Sequence, residues 1–529
     1  MTRLFRADTA FFLVIWLMLL FAFRERGFID PGSLWHIKVG EIILTKGMPE
    51  TDPFTYTFAG EKWVPQQWGA EVLMALAHRV GGFETMLLAF ATGIAALFTL
   101  IFQRCLRSGM GVPLAALIVA GTLFVGAFHY YVRPHMFTIA LLAWTMMCIV
   151  DYERGRCSLW RLAGLIPLFI LWTNLHGGVL GGTMTLGLAV GGWGLLFLVR
   201  DGRPQPATSA PTPIENPPSP IHDWPTAFIL VAIVAGCFFS PLVNPHGFEM
   251  LRIWQRIVES KVMPEIIIEH MPMNPTAPLG LAVIGLGVFY LALLFGTLPA
   301  RPHVSWLLPL VWFVLSFKGI RQGPLFAITA AVTIADMWPH TIWHRLLVKH
   351  GDGSLARDPK PDEPAPEGGP WWVVPCAAVL FAFVLQVAQL RVPLIGADWV
   401  RLDPAMMPSD ITPKVKEVLD HPGTRVFNDM NLGGYLIYHA PHAKIFMDDR
   451  CELYGDEWLR SYYDAMHATP ETLGSIFEGW SERYRFEYAM IETTEPDKKL
   501  SAIERYLLSK PDKWVEVARG KSAILFERK

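Results

Sequence analysis

Long apolar runs recur through the first three quarters of this sequence and constrain its fold more than any other feature. Crossing about 30 Å of hydrocarbon takes roughly 20 helical residues. We predict membrane spans at 9–25, 84–103, 112–130, 136–151, 162–175, 180–199, 226–242, 277–296, 304–318, 323–338 and 371–391. The chain is therefore predicted to be a polytopic α-helical membrane protein with about eleven spans.

The composition agrees with this prediction and disfavours other classes of protein. Of the 529 residues, 52% are hydrophobic and only 17% are charged, which is too apolar for a soluble enzyme of that length. A net charge of -2 without a local basic patch gives no reason to expect a nucleic-acid partner. The cysteines form no CxxC pair and no Cys/His ligand spacing, so neither a disulfide framework nor a zinc site is predicted.

Charges beside the spans predict the orientation of the chain. Arg24-Glu25-Arg26 follows the first apolar run where a signal peptide would have a small-residue cleavage site, so this run is predicted to be a retained span. Basic residues of the later short loops all fall on one side if the N-terminus is cytoplasmic. These residues are Arg104, Arg107, Arg154, Arg156, Arg161, Arg200, Arg203, Arg345 and Lys349.

Two domains are predicted from the change in composition after the last span. Residues 1–395 form a transmembrane domain whose first extracytoplasmic loop is 27–83, and residues 396–529 form a soluble extracytoplasmic α/β domain. In the second domain we predict strands at 425–428, 444–447, 487–491 and 523–526 and helices at 413–419 and 500–508. In the first domain we predict flexible linkers at 203–225 and 351–370 and a surface amphipathic helix at 251–262.

The first loop is the densest group of acids and aromatic residues in the chain. Asp30 could be a general base that deprotonates an acceptor hydroxyl, or could ligate a divalent cation. Because Asp30 precedes Pro31, it fits equally well the N-cap of a helix that begins there. His36 follows six positions later in the same loop.

Further acids and aromatic residues follow in the same loop. Asp52 precedes a proline and could be a second acid or a turn residue. Glu71, with Trp68 beside it, is a candidate substrate contact, although aromatic residues at this depth also form the interfacial belt.

Basic residues on the predicted outer side are unusual, because the positive-inside rule disfavours them there. Arg133 and Arg321 lie in short external turns, where they could bind phosphate oxygens or extend toward lipid headgroups. His135 lies near the same boundary. In the C-terminal domain, Asp448-Asp449-Arg450 at a strand end could bind a sugar or a cation, or could form a local turn with an Asp/Arg pair.

Together these residues resemble the GT-C superfamily, the integral-membrane glycosyltransferases that take a sugar from a polyprenyl-phosphate donor. Asp30 stands where such enzymes have their first-loop acid. The stretch DPGSLWHIKVGEIILTKGMPETDPFTYTF is similar to bacterial GT-C-like proteins with a pattern of the type DPDLWWHLxxGxxIxxxGxxPxxDxFSYT. Two departures stand out: Pro31 replaces the second acid of the mannosyltransferase Asp-Glu pair, and Gly32 replaces the further acid of the bacterial pattern.

The resemblance implies an inverting glycosyltransferase of a bacterial inner membrane that uses a polyprenyl-phosphate-linked sugar. It implies Asp30 as base or metal ligand, Asp52 as a second acid, His36 as an orienting group, and Arg133 and Arg321 as phosphate contacts. Glu71, Trp68 and His135 are further expected substrate contacts.

Two other hypotheses remain open at this point. One is a non-catalytic protein that binds a lipid-linked glycan or an envelope assembly partner, and the other is a transporter. A transporter would be expected to have charged residues lining a path within its spans, whereas the charges noted above collect at the outer boundary.

Overall fold

A computed structural model describes residues 6–201, 220–358, 370–494 and 499–529. Most of the two predicted linkers, and Arg203 with them, lies outside these ranges. The helices of the first part are α1 (Ala7–Arg26), α2 (Gly32–Lys46), α3 (Trp68–Arg107), α4 (Val112–Gly126), α5 (His135–Glu153), α6 (Leu159–Ala163), α7 (Leu165–Leu175), α8 (Val179–Asp201), α9 (Trp224–Phe239), α10 (Phe248–Glu259), α11 (Met263–Ile266), α12 (Pro278–Phe295), α13 (Val304–Lys318), α14 (Gly323–Met337), α15 (Ile342–His350) and α16 (Val373–Val387).

The apolar helices make the chain a membrane protein. Among the described residues, seven helices are long and apolar enough to cross a membrane, and the bent pair Ile320–His340 and Ile342–His350 would make an eighth. Shorter apolar helices occupy Leu159–Leu175, Val304–Lys318 and Val373–Val387. Every predicted span therefore coincides with a helix, but the count of eleven spans stays a prediction.

Helix α3 changes direction where two glycines follow one another. Gly81 and Gly82 leave helical geometry, and Gly82 has a φ of 70°, a conformation that glycine adopts without steric cost. The break separates residues 68–80 from the apolar part that was predicted as a span. Residues 68–80 pack closely on α2, since a Cβ on Gly40 would lie 2.0 Å from the Glu71 carbonyl oxygen.

The C-terminal part forms a mixed five-stranded sheet with helices. Its strands are β1 (Arg425–Asn428), β2 (Lys444–Ile445), β3 (Tyr488–Glu492), β4 (Trp514–Arg519) and β5 (Ala523–Arg528), and its helices are α17 (Thr412–Leu419), α18 (Gly433–His439), α19 (Cys451–Met466), α20 (Pro470–Tyr484) and α21 (Ala502–Leu508). The order is β2-β1-β3-β5-β4, with β1 parallel to β2 and β3 and with β5 antiparallel to β3 and β4.

The four predicted strands are present, although β2 is shorter than predicted. Strand β4 was not predicted. It lies at the edge of the sheet, and three of its six residues are exposed. Its sequence lacks the regular alternation of apolar and polar residues that identifies a half-buried strand.

The first loop and the C-terminal part pack as one body. Thr55 pairs with Ile445 in a parallel bridge, and the Tyr56 N–H donates to the Ile445 carbonyl at 3.1 Å. Trp35 and Leu34 share one buried cluster with residues of β1, β2 and α18. The sheet therefore lies directly against the loop, while the domain boundary at residue 396 stays a prediction.

Helix α5 separates two groups of charged residues. Arg133 precedes the N-terminus of α5. We call this end of the helical part, where the first loop lies, the first-loop face. At the other end of α5 Asp151 pairs with Arg104 at 2.7 Å, and Arg156 pairs with Asp336 at 2.5 Å. A helix of 19 residues spans about 28 Å, so these groups lie at opposite ends of the helical part.

Candidate active site

The two oxygens of Asp30 have different partners. Oδ1 accepts the Gly32 N–H at 2.7 Å, at the start of α2, and Oδ2 accepts a hydrogen bond from Nη1 of Arg133 at 2.5 Å. One oxygen of Asp30 thus binds the backbone at the start of α2, and the other pairs with a charged side chain. Gly32 permits this arrangement, because a Cβ there would lie 2.9 Å from the Arg133 guanidinium.

Arg133 is the centre of a group of three carboxyl side chains. Besides Asp30, its guanidinium lies 3.5 Å from Glu269 and 3.8 Å from Asp449. Asp449 also accepts a hydrogen bond from Trp35 Nε1 at 2.7 Å. We call Asp30, Arg133, Glu269 and Asp449 the Arg133 cluster.

Burial and charge alter the acidity of this cluster. Burial raises the pKa of Asp449 to about 7, against the lowering effect of the Arg133 guanidinium. Burial also raises the pKa of Asp30, and Arg133 again opposes the shift. Burial alone would lower the pKa of Arg133, but Asp30, Glu269 and Asp449 raise it. A carboxyl group with a pKa near 7 can accept a proton at neutral pH.

Helix α18 brings the C-terminal part against Asp30. A Cβ on Gly434 would lie 2.2 Å from the carbonyl oxygen of Pro31, and a Cβ on Gly433 would lie 2.5 Å from the Met447 carbonyl oxygen. Only glycine fits between these backbones, and their contact places Asp449 beside Arg133.

His36 and Glu71 form a second, fully buried pair. Nδ1 of His36 lies 2.9 Å from Oε1 of Glu71, and each side chain is 1% exposed. Burial, followed by the charge of Arg133, lowers the pKa of His36 well below its usual range. Burial also raises the pKa of Glu71 well above its usual range. The imidazole is therefore neutral, and its Nδ1–H can donate to Oε1 of the Glu71 carboxyl group.

Asp52 lies in a separate buried network. Arg450 donates to Asp52 Oδ1 at 2.7 Å and to Asp448 Oδ2 at 2.7 Å, with all three side chains 0% exposed. Asp52 also accepts the Thr55 N–H at 2.9 Å. The structure thus joins Asp52 to the C-terminal part and not to Asp30.

Arg321 is hydrogen-bonded to a histidine. Its Nη1 donates to Nε2 of His270 at 2.6 Å. Burial, with the Arg321 charge beside it, lowers the pKa of His270 to about 3, so this acceptor is neutral. Among the residues that the structure describes, Arg321 forms no ion pair, and its positive charge is not matched by a contacting acid.

Trp68 and His135 contact neighbouring helices and not the Arg133 cluster. Trp68 donates to Asn174 Oδ1 at 2.8 Å, and His135 Nε2 lies 2.6 Å from the His129 carbonyl oxygen. These contacts brace the first-loop face beside the site.

A cavity of about 70 Å³ lies between the first loop and the start of α19. Its lining comprises Trp35, Trp63, Val64, Gln66, Gln67, Glu71, Arg133, Asp449, Arg450 and Glu452. Gln66 also accepts a hydrogen bond from Trp254 of α10 at 2.9 Å, which ties the amphipathic helix to the cavity wall.

The divalent cation considered above would need ligands beside Asp30, whose oxygens contact Gly32 and Arg133 in the structure. No group of three or more His, Cys, Asp or Glu residues in the ranges given has the geometry to hold a metal ion. In the Arg133 cluster, a guanidinium occupies the position between the carboxylates.

Glu269 and Glu452 lie near this site and were not singled out from the sequence, whereas Asp449 was considered as a sugar or cation ligand or as part of a local turn. The sequence contained a signal for Asp449, since Asp448-Asp449 follows β2, and ligands commonly bind at the carboxyl ends of parallel strands. Glu269 lies in an irregular loop whose sequence contained no comparable signal.

Comparison with known proteins identifies the fold. No family model and no curated protein matches the chain. The oligosaccharyltransferase of Archaeoglobus fulgidus, crystallised with a tethered acceptor peptide containing the NVT sequon, superposes with a TM-score of 0.52 and 12% identity over 92% of this chain and 69% of that one.

Two structures of ArnT from Cupriavidus metallidurans also resemble the chain. The form bound to undecaprenyl phosphate gives a TM-score of 0.47 and 14% identity over 98% of this chain and 97% of ArnT. The apo form gives 0.45 and 14% over 97% and 96%. The match to the oligosaccharyltransferase shows that the chain shares the fold of that enzyme, which agrees with the resemblance to the GT-C superfamily noted in the sequence.

Proposed function

We propose that this protein is a glycosyltransferase that transfers a sugar from a polyprenyl-phosphate donor to an acceptor hydroxyl on the extracytoplasmic side of a bacterial inner membrane. The observation that supports this proposal is the Arg133 cluster, in which two carboxyl groups of raised pKa lie at one face of a GT-C fold. In the proposed orientation the N-terminus is cytoplasmic and the first-loop face is extracytoplasmic.

The proposed reaction is a single displacement at the anomeric carbon. The acceptor hydroxyl gives its proton to a carboxylate, its oxygen bonds to the anomeric carbon, and the bond from that carbon to the lipid phosphate breaks. The bonding electrons leave with the polyprenyl phosphate, and the configuration inverts.

The roles follow from the charges. Asp449, with a pKa near 7, and Asp30 are the candidate bases. Arg133 holds both carboxyl groups in place. Arg321 is the better phosphate contact, because its guanidinium is bonded to a neutral imidazole, and a free guanidinium binds phosphate strongly.

The test uses the purified full-length protein in lipid nanodiscs with a panel of undecaprenyl-phosphate-linked hexoses and pentoses. Released undecaprenyl phosphate is measured by mass spectrometry. The proposal expects one donor to be consumed, and consumption of none overturns it.

Asp30→Asn separates the two roles of Asp30. Asparagine caps helices as well as aspartate does, so the Gly32 hydrogen bond is retained while the charge is lost. We expect transfer to fall by about 100-fold or more. Asp403→Asn is the matched control, since Asp403 accepts the Ala405 N–H at 3.0 Å in the same kind of turn. Full activity of Asp30→Asn would exclude Asp30 as the base.

A non-catalytic binder is the second candidate. It is favoured by the bonding of Asp30, since both oxygens of this carboxyl group have protein partners. A binder would retain a polyprenyl-phosphate sugar in the nanodisc experiment without consuming it.

A further inference from the structure

Three buried polar atoms at the small cavity have no hydrogen-bonding partner among the described residues. They are Nε1 of Trp63, Nη1 of Arg450 and Oε2 of Glu71, and all three residues line the cavity. The residues are 3%, 1% and 1% exposed, respectively. Buried polar groups in folded proteins nearly always have partners, so their convergence indicates a site for a polar ligand.

The chemistry of the three atoms selects the ligand group. The indole and the guanidinium can only donate hydrogen bonds. Burial raises the pKa of Glu71 well above its ordinary range, which favours the protonated carboxyl group, so its free oxygen can donate as well as accept. An ammonium group would leave Trp63 and Arg450 without an acceptor. A hydroxyl group both donates and accepts, so one or two hydroxyls satisfy all three atoms.

The charges at the cavity disfavour an anion. The Arg133 charge is already balanced by the carboxyl groups of Asp30 and Glu269. The Arg450 charge is already balanced by two carboxylates, those of Asp52 and Asp448. A neutral ligand group therefore fits this cavity better than a phosphate.

We propose that this cavity is the subsite for hydroxyl groups of the transferred sugar, a conclusion that rests on the proposed function. At about 70 Å³ it holds only a few groups of the size of water, which corresponds to the hydroxyl-bearing edge of one sugar ring. Trp63 and Arg450 donate to the sugar oxygens, and the Glu71 carboxyl group forms a hydrogen bond with a sugar hydroxyl. Asp449 and Arg133 line the same cavity, so a sugar bound there lies beside the Arg133 cluster.

Binding can be tested without transfer. The full-length protein in nanodiscs is titrated with methyl glycosides of several hexoses and pentoses, followed by saturation-transfer NMR, with inorganic phosphate as a separate probe. We expect saturable binding of at least one glycoside, and about 10-fold weaker binding to Trp63→Phe, which removes the indole N–H and keeps the aromatic ring.

Trp514→Phe is the matched control. Trp514 is also 3% exposed with an unpartnered Nε1, but it packs in the core of the C-terminal part against Phe477 and Phe486. If Trp63→Phe does not fold, Glu71→Leu is measured instead, because it removes the polar group from one of the three positions. We expect Trp514→Phe to bind as the wild type does.

The outcomes separate this proposal from the proposed function. Absence of glycoside binding, equal binding to Trp63→Phe and wild type, or binding of phosphate alone would each overturn the subsite, even if donor consumption that depends on Asp30 is found. Binding that depends on Trp63, without consumption of any donor, would support the subsite and favour the non-catalytic binder.

Discussion

Asp52 and Arg450 are 398 positions apart in the chain, yet Nη2 of Arg450 lies 2.7 Å from Oδ1 of Asp52. Arg450 also stacks over the rings of Phe54 and Trp63, at 5.0 and 4.6 Å from their centroids. This contact fastens the first loop to the sheet and thereby sets the position of the neighbouring Asp449.

Replacing Arg450 by methionine should destabilise the protein. The change leaves Asp52 and Asp448 buried without their partner, and breaking a buried pair in this way costs about 3–5 kcal/mol. We expect a lower midpoint of thermal unfolding and faster proteolytic cleavage where the first loop contacts the C-terminal part. Arg391→Met is the control, since Arg391 is 81% exposed in its pair with Asp398, and it should leave both measurements unchanged. An unchanged midpoint for Arg450→Met would contradict the structural role.

Arg321→Gln should weaken use of the lipid donor. Loss of a charge-assisted contact to phosphate is worth about 1.5–3 kcal/mol, so KM for the polyprenyl-phosphate sugar should rise about 10- to 100-fold. The control is Lys318→Gln, because Lys318 is an exposed cation beside the same turn. Steady-state kinetics with varied donor decide the point, and equal effects of the two substitutions would argue against a specific phosphate contact.

Transfer should depend on pH through Asp449. A base with a pKa of about 7 is protonated below that pH, so activity should fall as the pH is lowered through 7. Asp449→Asn should reduce the rate about 100-fold and abolish this acidic limb. A pH–rate profile whose acidic limb persists in Asp449→Asn would assign the limb to another group.

The carboxyl group of Asp449 should also make stability depend on pH, with stability falling where activity rises. Its folded pKa of about 7 lies above its ordinary value of 3.8, so its stabilising contribution is complete below about pH 4 and is lost as the pH rises through 7. Asp449→Asn should flatten this part of the plot of the thermal unfolding midpoint against pH. Asp429, whose pKa burial also raises to about 7, is the control: Asp429→Asn should flatten the stability curve and keep the acidic limb of activity.

Gly434→Ala should disturb the docking of α18 on the first loop. The new Cβ would lie 2.2 Å from the Pro31 carbonyl oxygen, whereas a Cβ on Gly479 in α20 meets nothing within 4 Å. We therefore expect Gly434→Ala to lower both stability and transfer. Gly479→Ala should stabilise the protein by roughly 0.5–1 kcal/mol through helix propensity. Thermal unfolding and donor consumption of the two variants test this contrast.

The sequence predicted the helices and strands well, but it predicted less well which of their residues lie together at the site. Each predicted span coincides with a helix, and four of the five strands were expected, because apolar periodicity is a local property of the chain. The same reasoning paired Asp30 with Asp52 as the acids of the site. The structure instead places Asp449 beside Arg133 and buries Asp52 against Arg450.

The sequence by itself predicted a helical membrane protein that resembles the GT-C superfamily, with a polar first loop and a C-terminal α/β part. Only the tertiary structure decided which acids meet Arg133. The Arg133 cluster joins four residues from distant segments: Asp30, Arg133, Glu269 and Asp449. No local sequence pattern indicates that these residues are close in space. Their meeting depends on the packing of α18 against Pro31, where two backbones approach so closely that only Gly434 fits between them.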